Sequence, residues 1–339
     1  MATTIQNQQP SPVLFFQTVN AYQRTEALKT AIELDLFTII AEGNSTAAAI
    51  AQRCKAAERG VRILSDYLVT LGFLTKQNNN YGLTQDTAVF LSRKSPAYLG
   101  SAIGFLNAAR LREGYTHLTE AVRKGGCALG EGMVAPEDPI WVEFARSMAG
   151  MMFMPAEQMA KLLNAGAGEK WKVLDIAAGH GVFGVTLARH NPNAEIVALD
   201  WPNVLQVAKE TADKAGVASR YSTKPGSAFD VDFGTGYDLV LLTNFLHHFD
   251  PPMNEKLLKK VHAALKPGGR AVTLEFVPNP DRVTPPEAAQ FSLVMLAGTP
   301  SGDAYTFAEL ERMFRNAGFS ASELHPLPPT LEQVVISRK

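Results

Sequence analysis

The sequence predicts an α/β protein in which a mostly parallel, doubly wound sheet follows a mainly helical N-terminal part. Three observations support this fold class. Short apolar runs alternate with amphipathic helical segments from residue 172 onward, a glycine-rich turn follows the first of these runs, and the residues before it show helical periodicity. Buried strands that alternate with helices are typical of parallel sheets.

Length and composition indicate a folded protein with more than one domain. The chain has 339 residues, of which 46% are hydrophobic and 19% are charged. This composition suffices for a sizeable core and excludes global disorder. Lysine and arginine number 32, and aspartate and glutamate number 33. Because the chain has no basic run or stripe, nucleic acid is not expected as the main partner.

The sequence also predicts a cytoplasmic protein without a membrane segment. Residues 1–12 lack the basic and apolar regions of a secretory signal, and no uninterrupted apolar run reaches the roughly 18 residues that span a bilayer. Cys54 and Cys127 are far apart and form neither a metal-ligand pattern nor a disulfide framework. Such cysteine usage is typical of a reducing compartment.

Residues 1–95 are predicted to form a winged-helix-like domain. Apolar residues at helical spacing predict one long helix and a shorter one between Val13 and Glu42, and further helices begin near Thr46 and Glu58. The stretch "FLTKQNNNYGLT" then predicts two short strands around an asparagine-rich turn. Three helices followed by a hairpin are the winged-helix order.

DNA binding and dimerisation are the two interpretations of such a domain. The candidate recognition helix, residues 59–71, has Arg59 and Arg62 but is otherwise apolar. This composition favours a packing or dimerisation module. Residues 96–165 are predicted to form a helical connector, in which methionines recur at helical spacing in "WVEFARSMAGMMFM". This pattern is typical either of an ordinary core or of a surface that fits a ligand.

Residues 166–339 are predicted to form the doubly wound sheet and its helices. The parallel strands are predicted in "WKVLDIA", "AEIVALD", "YDLVLLTNFLHHF" and "RAVTLEFV", with helices between them. The last helix begins after Thr306 and has a capping box, since Glu309 follows three residues later. The final run, "EQVVISRK", predicts a closing antiparallel strand.

The turn in "LDIAAGHGVFG" narrows the kind of ligand. Gly179, Gly181 and Gly184 match the G-x-G-x-x-G pattern of dinucleotide sites, but a glycine turn before a helix suits any nucleotide. Asp175 lies inside the first strand, where it would repel a pyrophosphate and attract a cationic group such as the ammonium of S-adenosylmethionine. Alternatively, Asp175 only binds backbone N–H groups. Asp200, which ends the second strand, can accept both hydroxyls of a ribose.

In these motifs the chain resembles the class I S-adenosylmethionine-dependent methyltransferases of the caffeate and hydroxyindole O-methyltransferase type, including their bacterial small-molecule relatives. The likeness covers almost the whole chain. "ALKTAIELDLFTIIAEG", "RILSDYLVTLGFL" and "YGLTQDTAVFL" resemble the family's dimerisation domain, and "VLDIAAGHG", "VALDWPNV", "NFLHHFD", "LKPGGRAVTLEFV" and "YTFAELERMFRNAGF" follow in its order.

The resemblance implies a Rossmann-like methyltransferase sheet with an antiparallel last strand. It also implies S-adenosyl-L-methionine as cofactor, S-adenosyl-L-homocysteine as product, no metal, and a homodimer formed through the N-terminal domain. The implied cofactor-binding residues are Asp175, Gly179, Gly181, Asp200, Trp201, Ser227, Ala228, Thr243, Asn244 and Phe249. Ser227 stands where the family has an aspartate near the adenine.

His247 matches the family's general base, and Glu275 matches one of two carboxylates that orient it. Methyl transfer is an in-line displacement, and a phenol becomes a good nucleophile only when a base removes its proton. The second carboxylate matches Ala304, which leaves the neighbouring Asp303 as the alternative. His248 is expected to point elsewhere, which also argues against a metal site in "HHFD".

The resemblance also implies that the connector, residues 96–165, contributes to a pocket for the molecule that accepts the methyl group. This pocket is apolar and predicts a small aromatic or otherwise apolar acceptor. It comprises Phe144, Met148, Met152, Phe291 and Met295. Arg146 and Tyr115 are candidates for binding a carboxylate. Three alternatives stay open at this point: methyl transfer to sulfur, carbon or nitrogen without a required base, a winged-helix regulator that senses a ligand, and a dehydrogenase.

Overall fold

A computed structural model describes residues 9–135 and 137–339. The chain divides into two compact units, one that ends at Ile103 and one that comprises Gly104–Lys339. Residues 1–8, part of the segment predicted to lack a secretory signal, lie outside the described residues. The predicted division at residues 95 and 165 stays a proposal.

The first unit consists of helices and one hairpin. Its elements are α1 (Val13–Val19), α2 (Ala21–Glu33), α3 (Leu36–Ala41), α4 (Ala47–Cys54), α5 (Glu58–Thr70), β1 (Leu74–Gln77), β2 (Asn80–Leu83) and α6 (Gln85–Phe90). The antiparallel pairing of Leu74 with Leu83 confirms the predicted hairpin. Thr46 caps α4 by accepting the N–H of Ala49 at 3.2 Å, which confirms the helix start predicted near Thr46.

The predicted long first helix is wrong, because the chain divides it at Asn20 into α1 and α2. The predicted shorter second helix is confirmed as α3, which follows Asp35 with its φ of +54°. The apolar residues recur across the break at Asn20, so periodicity alone did not mark it. The core of the unit includes Phe37, Ile50 and Leu68, each at most 1% exposed.

The second unit consists of helices and a seven-stranded sheet. Its elements, with α7 crossing the boundary, are α7 (Ile103–Leu106), α8 (Ala109–Thr116), α9 (Leu118–Lys124), α10 (Ile140–Leu162), β3 (Trp171–Ile176), α11 (Val182–His190), β4 (Ala194–Asp200), α12 (Pro202–Lys214), β5 (Tyr221–Pro225), β6 (Tyr237–Thr243), α13 (Pro251–Ala264), β7 (Leu265–Glu275), α14 (Pro286–Gly298), α15 (Phe307–Asn316), β8 (Ala321–Pro326) and β9 (Gln333–Arg338).

The strand order is β5-β4-β3-β6-β7-β9-β8. The first five strands in this order are parallel, and β9 runs antiparallel to both β7 and β8. The predicted fold class, including the antiparallel last strand, is confirmed. The edge strand β8 was missed, since "ASELHP" has neither an apolar run nor a strict alternation.

This topology explains where a ligand site forms. The chain leaves β3 toward β4 on one side, whereas β6 lies on the other side of β3, and such a switch point opens a crevice at the carboxyl ends of the strands. The capping box of α15 is confirmed, because Thr306 and Glu309 bond reciprocally. Within the described residues, no helix has both the length and the apolar character needed to cross a bilayer.

Candidate active site

A cavity of about 900 Å³ lies at the carboxyl ends of the strands in the second unit. Its wall includes residues that directly follow β3, β4, β5, β6 and β7. Among the predicted site residues, it is lined by Gly179, Asp200, Trp201, Ser227, Ala228, Thr243, Asn244, His247, Phe249, Phe144, Met148, Met152, Phe291 and Met295. Asp175, Gly181 and Glu275 do not line it.

Asp200 connects the glycine turn to the end of β4. Its Oδ2 accepts the N–H of Gly179 at 2.8 Å, and its Oδ1 accepts the N–H of Trp201 at 2.7 Å. Burial raises the pKa of Asp200 to about 6, and these N–H groups oppose that effect. Each carboxylate oxygen retains a lone pair after these bonds, so Asp200 can also accept hydroxyls from a ligand in the cavity.

Asp175 and Gly181 lie in closely packed surroundings and do not line the cavity, so their predicted contacts with the cofactor stay predictions. Asp175 is 0% exposed, and its Oδ2 accepts the N–H of Gly184 at 3.2 Å. Burial raises its pKa to about 7. A Cβ atom at Gly181 would lie 2.8 Å from the hydroxyl of Tyr221 and 3.0 Å from the Cα of Ala208. Gly184 packs closely as well, since the β-carbon of an alanine there would collide with the strand beneath it.

His247 and Glu275 form a buried pair at the ends of β6 and β7. Nδ1 of His247 lies 2.5 Å from Oε2 of Glu275, and Oε1 of Glu275 accepts the N–H groups of Phe245 and Leu246 at 3.1 and 2.8 Å. Burial lowers the pKa of His247 to about 3 and raises the pKa of Glu275 to about 8. Burial thus favours the neutral form of both groups, and the carboxyl group of Glu275 holds Nδ1 of the imidazole by a hydrogen bond.

The position of the family's second carboxylate is apolar. Ala304 is 1% exposed, and the carboxylate of Asp303 is bound to Arg282 at 3.0 Å. Asp303 contributes only its backbone N–H, which donates to the carbonyl oxygen of His247 at 2.9 Å. The ring of Phe291 contacts the imidazole edge to face, with centroids 4.7 Å apart. Asp303 therefore does not replace the second carboxylate.

His248 also lines the cavity, so the expectation that it points elsewhere is wrong. β6 ends at Thr243, and the two histidines lie on a short 3₁₀ turn, where adjacent side chains do not alternate as they do in a strand. Their ring centroids are 4.2 Å apart, and Nδ1 of His248 lies 3.1 Å from the carbonyl oxygen of Phe245. Across residues 9–135 and 137–339, no cluster of three or more acidic, histidine or cysteine side chains suits a metal ion.

Two helices supply most of the predicted apolar wall. Phe144, Met148 and Met152 recur every four residues on α10, and Phe291 and Met295 do so on α14. Residues that sequence reasoning missed extend this wall; they include Phe105, Leu106, Leu111, Met133, Val134 and Trp141. Most of them belong to a segment of short helices and turns that has no clear periodicity.

The two candidates for carboxylate recognition differ in position. Tyr115 lines the cavity, whereas Arg146 forms a bidentate pair with Glu210 at 3.0 and 3.1 Å and does not line it. Sequence reasoning also missed Glu332. This residue is 4% exposed, lines the cavity and accepts a hydrogen bond from Asn244. A lone acid in "TLEQVV" gives no sequence signal of such a position.

Family models and a curated protein show which proteins this chain resembles. A model of the O-methyltransferase domain matches residues 115–320, and a model of the O-methyltransferase dimerisation domain matches residues 16–93. The curated 3-hydroxy-5-methyl-1-naphthoate 3-O-methyltransferase of Streptomyces sahachiroi is 29% identical over 315 residues, which cover 91% of this chain and 90% of that protein.

Solved structures of other proteins have a similar fold over nearly the whole chain. The crystal structure of a candidate O-methyltransferase from Nostoc punctiforme PCC 73102 is 56% identical, has a TM-score of 0.94, and matches over 98% of this chain and 100% of that one. Human N-acetylserotonin methyltransferase in complex with SAM has a TM-score of 0.84 at 22% identity, over 98% and 99% of the chains, and so supports the fold alone.

The predicted enzyme class and cofactor are confirmed by these matches, which favour a methyltransferase over a DNA-binding regulator or a dehydrogenase. The match to the dimerisation domain supports a homodimer. Because the O-methyltransferase model covers more than half of the residues, the chain belongs to the S-adenosyl-L-methionine-dependent O-methyltransferase family.

Proposed function

We propose that this protein methylates a hydroxyl group of a small aromatic molecule, with His247 as the general base and Glu275 as the residue that positions it. The observation that carries this proposal is the buried pair of His247 and Glu275, whose imidazole lies in one cavity with Asp200 and two apolar helices. The pair thus places a proton acceptor in the cavity where a nucleoside and an aromatic ring would bind.

The cofactor side of the cavity fits a nucleoside with adjacent hydroxyls. Gly179 has φ +56°, so the turn holds its N–H on Asp200 without a side chain in the cavity. Asp200 would accept the ribose hydroxyls, Trp201 and Phe249 offer apolar faces to the adenine, and Ser227 offers a hydroxyl. When bound, S-adenosyl-L-methionine supplies an electrophilic methyl group on a sulfonium leaving group.

The acceptor side explains the role of the base. A phenol ionises near pH 10, so at neutral pH most of it is protonated and weakly nucleophilic. When Glu275 is ionised and accepts the one N–H of a neutral His247 at Nδ1, Nε2 has a free lone pair and can take the proton of the hydroxyl. Glu275 favours this form by holding Nδ1. The apolar walls exclude water and suit a flat ring.

The exposed apolar surface of helix α1 supports a homodimer formed through the N-terminal unit. Every residue of α1 is exposed, including Leu14 at 75% and Phe15 at 64%. A contiguous apolar helix surface is typical of a protein interface. Sedimentation equilibrium should give a dimer mass for the full chain and a monomer mass for a variant with Leu14→Asp and Phe15→Asp. A monomeric parent protein would contradict the homodimer.

A methyl-transfer screen over small phenols, thiols, amines and activated carbon acids tests the proposed reaction. With the best hydroxyl acceptor, the decisive variant is His247→Ala, which removes the base and should lower kcat by about 100-fold or more. His190→Ala is the matched control, because His190 pairs with Glu157 outside the cavity. A loss of only a few-fold, with binding of S-adenosyl-L-homocysteine intact, would favour a sulfur, carbon or nitrogen acceptor.

A further inference from the structure

Glu332 gives the cavity a carboxyl group that the proposed reaction does not use. It directly precedes β9, whose first residue, Gln333, pairs with Glu275 across the sheet. Glu332 is 4% exposed and lines the cavity. A carboxyl group in an apolar wall is costly unless it is paired, so its partners indicate what it is able to bind.

The carboxyl group of Glu332 receives one hydrogen bond from the described residues. Oε1 accepts a hydrogen bond from Nδ2 of Asn244 at 2.8 Å, and no other bond to the carboxyl group is found among the described residues. Oδ1 of Asn244 also lacks a donor there. Burial, together with the charge of Glu275, raises the pKa of Glu332 to about 7. A donor brought by a ligand would stabilise the carboxylate.

The sheet places Glu332 at the acceptor end of the cavity. Asp200 ends β4 and Gly179 follows β3, whereas β9 is separated from β3 by β6 and β7. Three strand spacings correspond to roughly 14 Å. His247, which follows β6, lies between the two ends. Glu332 is therefore far from Asp200 and Gly179. Its neighbour Asn244, which the family resemblance assigns to the cofactor side, also contacts Met152 on the apolar wall and so marks the boundary between the two sides.

We propose that Glu332, held by Asn244, binds a hydrogen-bond-donating substituent of the acceptor, either a second hydroxyl or a protonated amine, away from the hydroxyl that is methylated. This inference rests on the proposed function and names its acceptor class: aromatic hydroxy compounds with a further donor group. A carboxylate substituent at the same position is disfavoured, because it would meet a second carboxylate and an unpaired amide oxygen.

Titration calorimetry on protein saturated with S-adenosyl-L-homocysteine tests this inference. The probes are a naphthol, its dihydroxy and aminomethyl analogues, and the corresponding hydroxynaphthoate. The parent protein should bind at least one donor-bearing analogue about tenfold more tightly than naphthol, since a hydrogen bond to a charged group has that strength. The hydroxynaphthoate should bind no more tightly than naphthol.

Two variants separate hydroxyl from amine recognition. Glu332→Leu should bring the affinities for naphthol and both analogues to within about twofold of one another. Glu332→Gln keeps the acceptor oxygen for Asn244, so it should retain a preference for the dihydroxy analogue and lose one for the aminomethyl analogue. Glu323→Gln removes an exposed carboxylate of β8 and should behave like the parent protein. Unchanged binding of S-adenosyl-L-homocysteine verifies that each variant is folded.

Three outcomes would overturn the role of Glu332. The parent protein could bind naphthol and its donor-bearing analogues equally well, Glu332→Leu could keep the preference for a donor-bearing analogue, or no probe could bind. Methyl transfer to the same compounds, measured in parallel, separates this failure from that of the proposed function. Transfer to a hydroxyl without any dependence on Glu332 leaves the proposed function intact. If the cofactor product binds but no hydroxyl acceptor of the wider screen is methylated, the proposed function itself fails.

Discussion

Glu275 binds both the imidazole of His247 and the turn that carries it. One oxygen lies 2.5 Å from Nδ1, and the other accepts the N–H groups of Phe245 and Leu246. The carboxyl group thus fixes the ring and its backbone with a single side chain. Because the position of the second carboxylate is occupied by Ala304, Glu275 is the one acidic side chain that contacts this imidazole among the described residues.

Glu275→Gln is expected to change the pH profile as well as the rate. Burial raises the pKa of Glu275 to about 8, and the form that leaves Nε2 free requires this carboxyl group to be ionised. The kcat/KM of the parent protein should therefore rise as the pH increases from about 6 to about 8 or beyond. In the variant, kcat should fall about tenfold or more and this rise should disappear. A profile shared by both proteins would contradict the coupling.

Asp200→Asn is expected to weaken the binding of S-adenosyl-L-homocysteine by about tenfold or more. Both carboxylate oxygens accept backbone N–H groups, so an amide would turn an NH₂ group toward one of these donors and lose charge. Calorimetry gives the dissociation constant directly. Asp213→Asn, on the exposed face of α12, is the control and should leave it unchanged. If the variant binds S-adenosyl-L-homocysteine about as tightly as the parent protein does, the proposed role of Asp200 in cofactor binding is contradicted.

Asp175→Asn is expected to stabilise the protein more at neutral pH than at acidic pH. Burial raises the pKa of Asp175 from its ordinary value of 3.8 to about 7, so the folded state retains a proton that the unfolded state has released. The stability that this proton contributes is complete below the unfolded pKa and is lost as the pH rises through the folded pKa. An asparagine does not titrate and keeps an oxygen for the N–H of Gly184.

Thermal unfolding of the ligand-free protein measures this effect. The difference in Tm between Asp175→Asn and the parent should grow from about pH 5 to about pH 7 and level off above it. Asp213→Asn again serves as the control, since its carboxylate is exposed. A constant difference across this range would mean that Asp175 is ionised in the folded protein.

Gly181→Ala is expected to destabilise the protein far more than Gly216→Ala, although both glycines have left-handed backbones with φ +73° and φ +70°. At Gly216 no atom lies within 4 Å of the added Cβ, so only backbone strain of about 1 kcal/mol applies. At Gly181 the Cβ would also collide with Tyr221 and Ala208, which should add about 1–3 kcal/mol. Urea unfolding compares the two; equal losses would contradict the packing argument.

The sequence by itself determined the order of elements and the chemistry of the cavity's centre. Strands β3, β4, β6 and β7 were recognisable because apolar runs of strand length alternate with helical periods, and this signal is local. The capping box of Thr306 and Glu309 and the hairpin of β1 and β2 are local in the same way. Asp200 was found because it ends the second strand of this alternating pattern, where an acid can accept the hydroxyls of a ribose. His247 was found because "NFLHHFD" resembles the motif of a known family.

Only the tertiary structure decided which side chains reach the cavity. Asp175 bonds to Gly184 and does not line the cavity, and His248 joins His247 because β6 ends before the turn that carries them. Glu332 reaches the site from the start of β9, which pairs with β7 far away in sequence. These outcomes depend on long-range strand pairing and on where each strand ends. Neither follows from periodicity, because a pattern of apolar residues specifies a face of an element but not the neighbour that it meets.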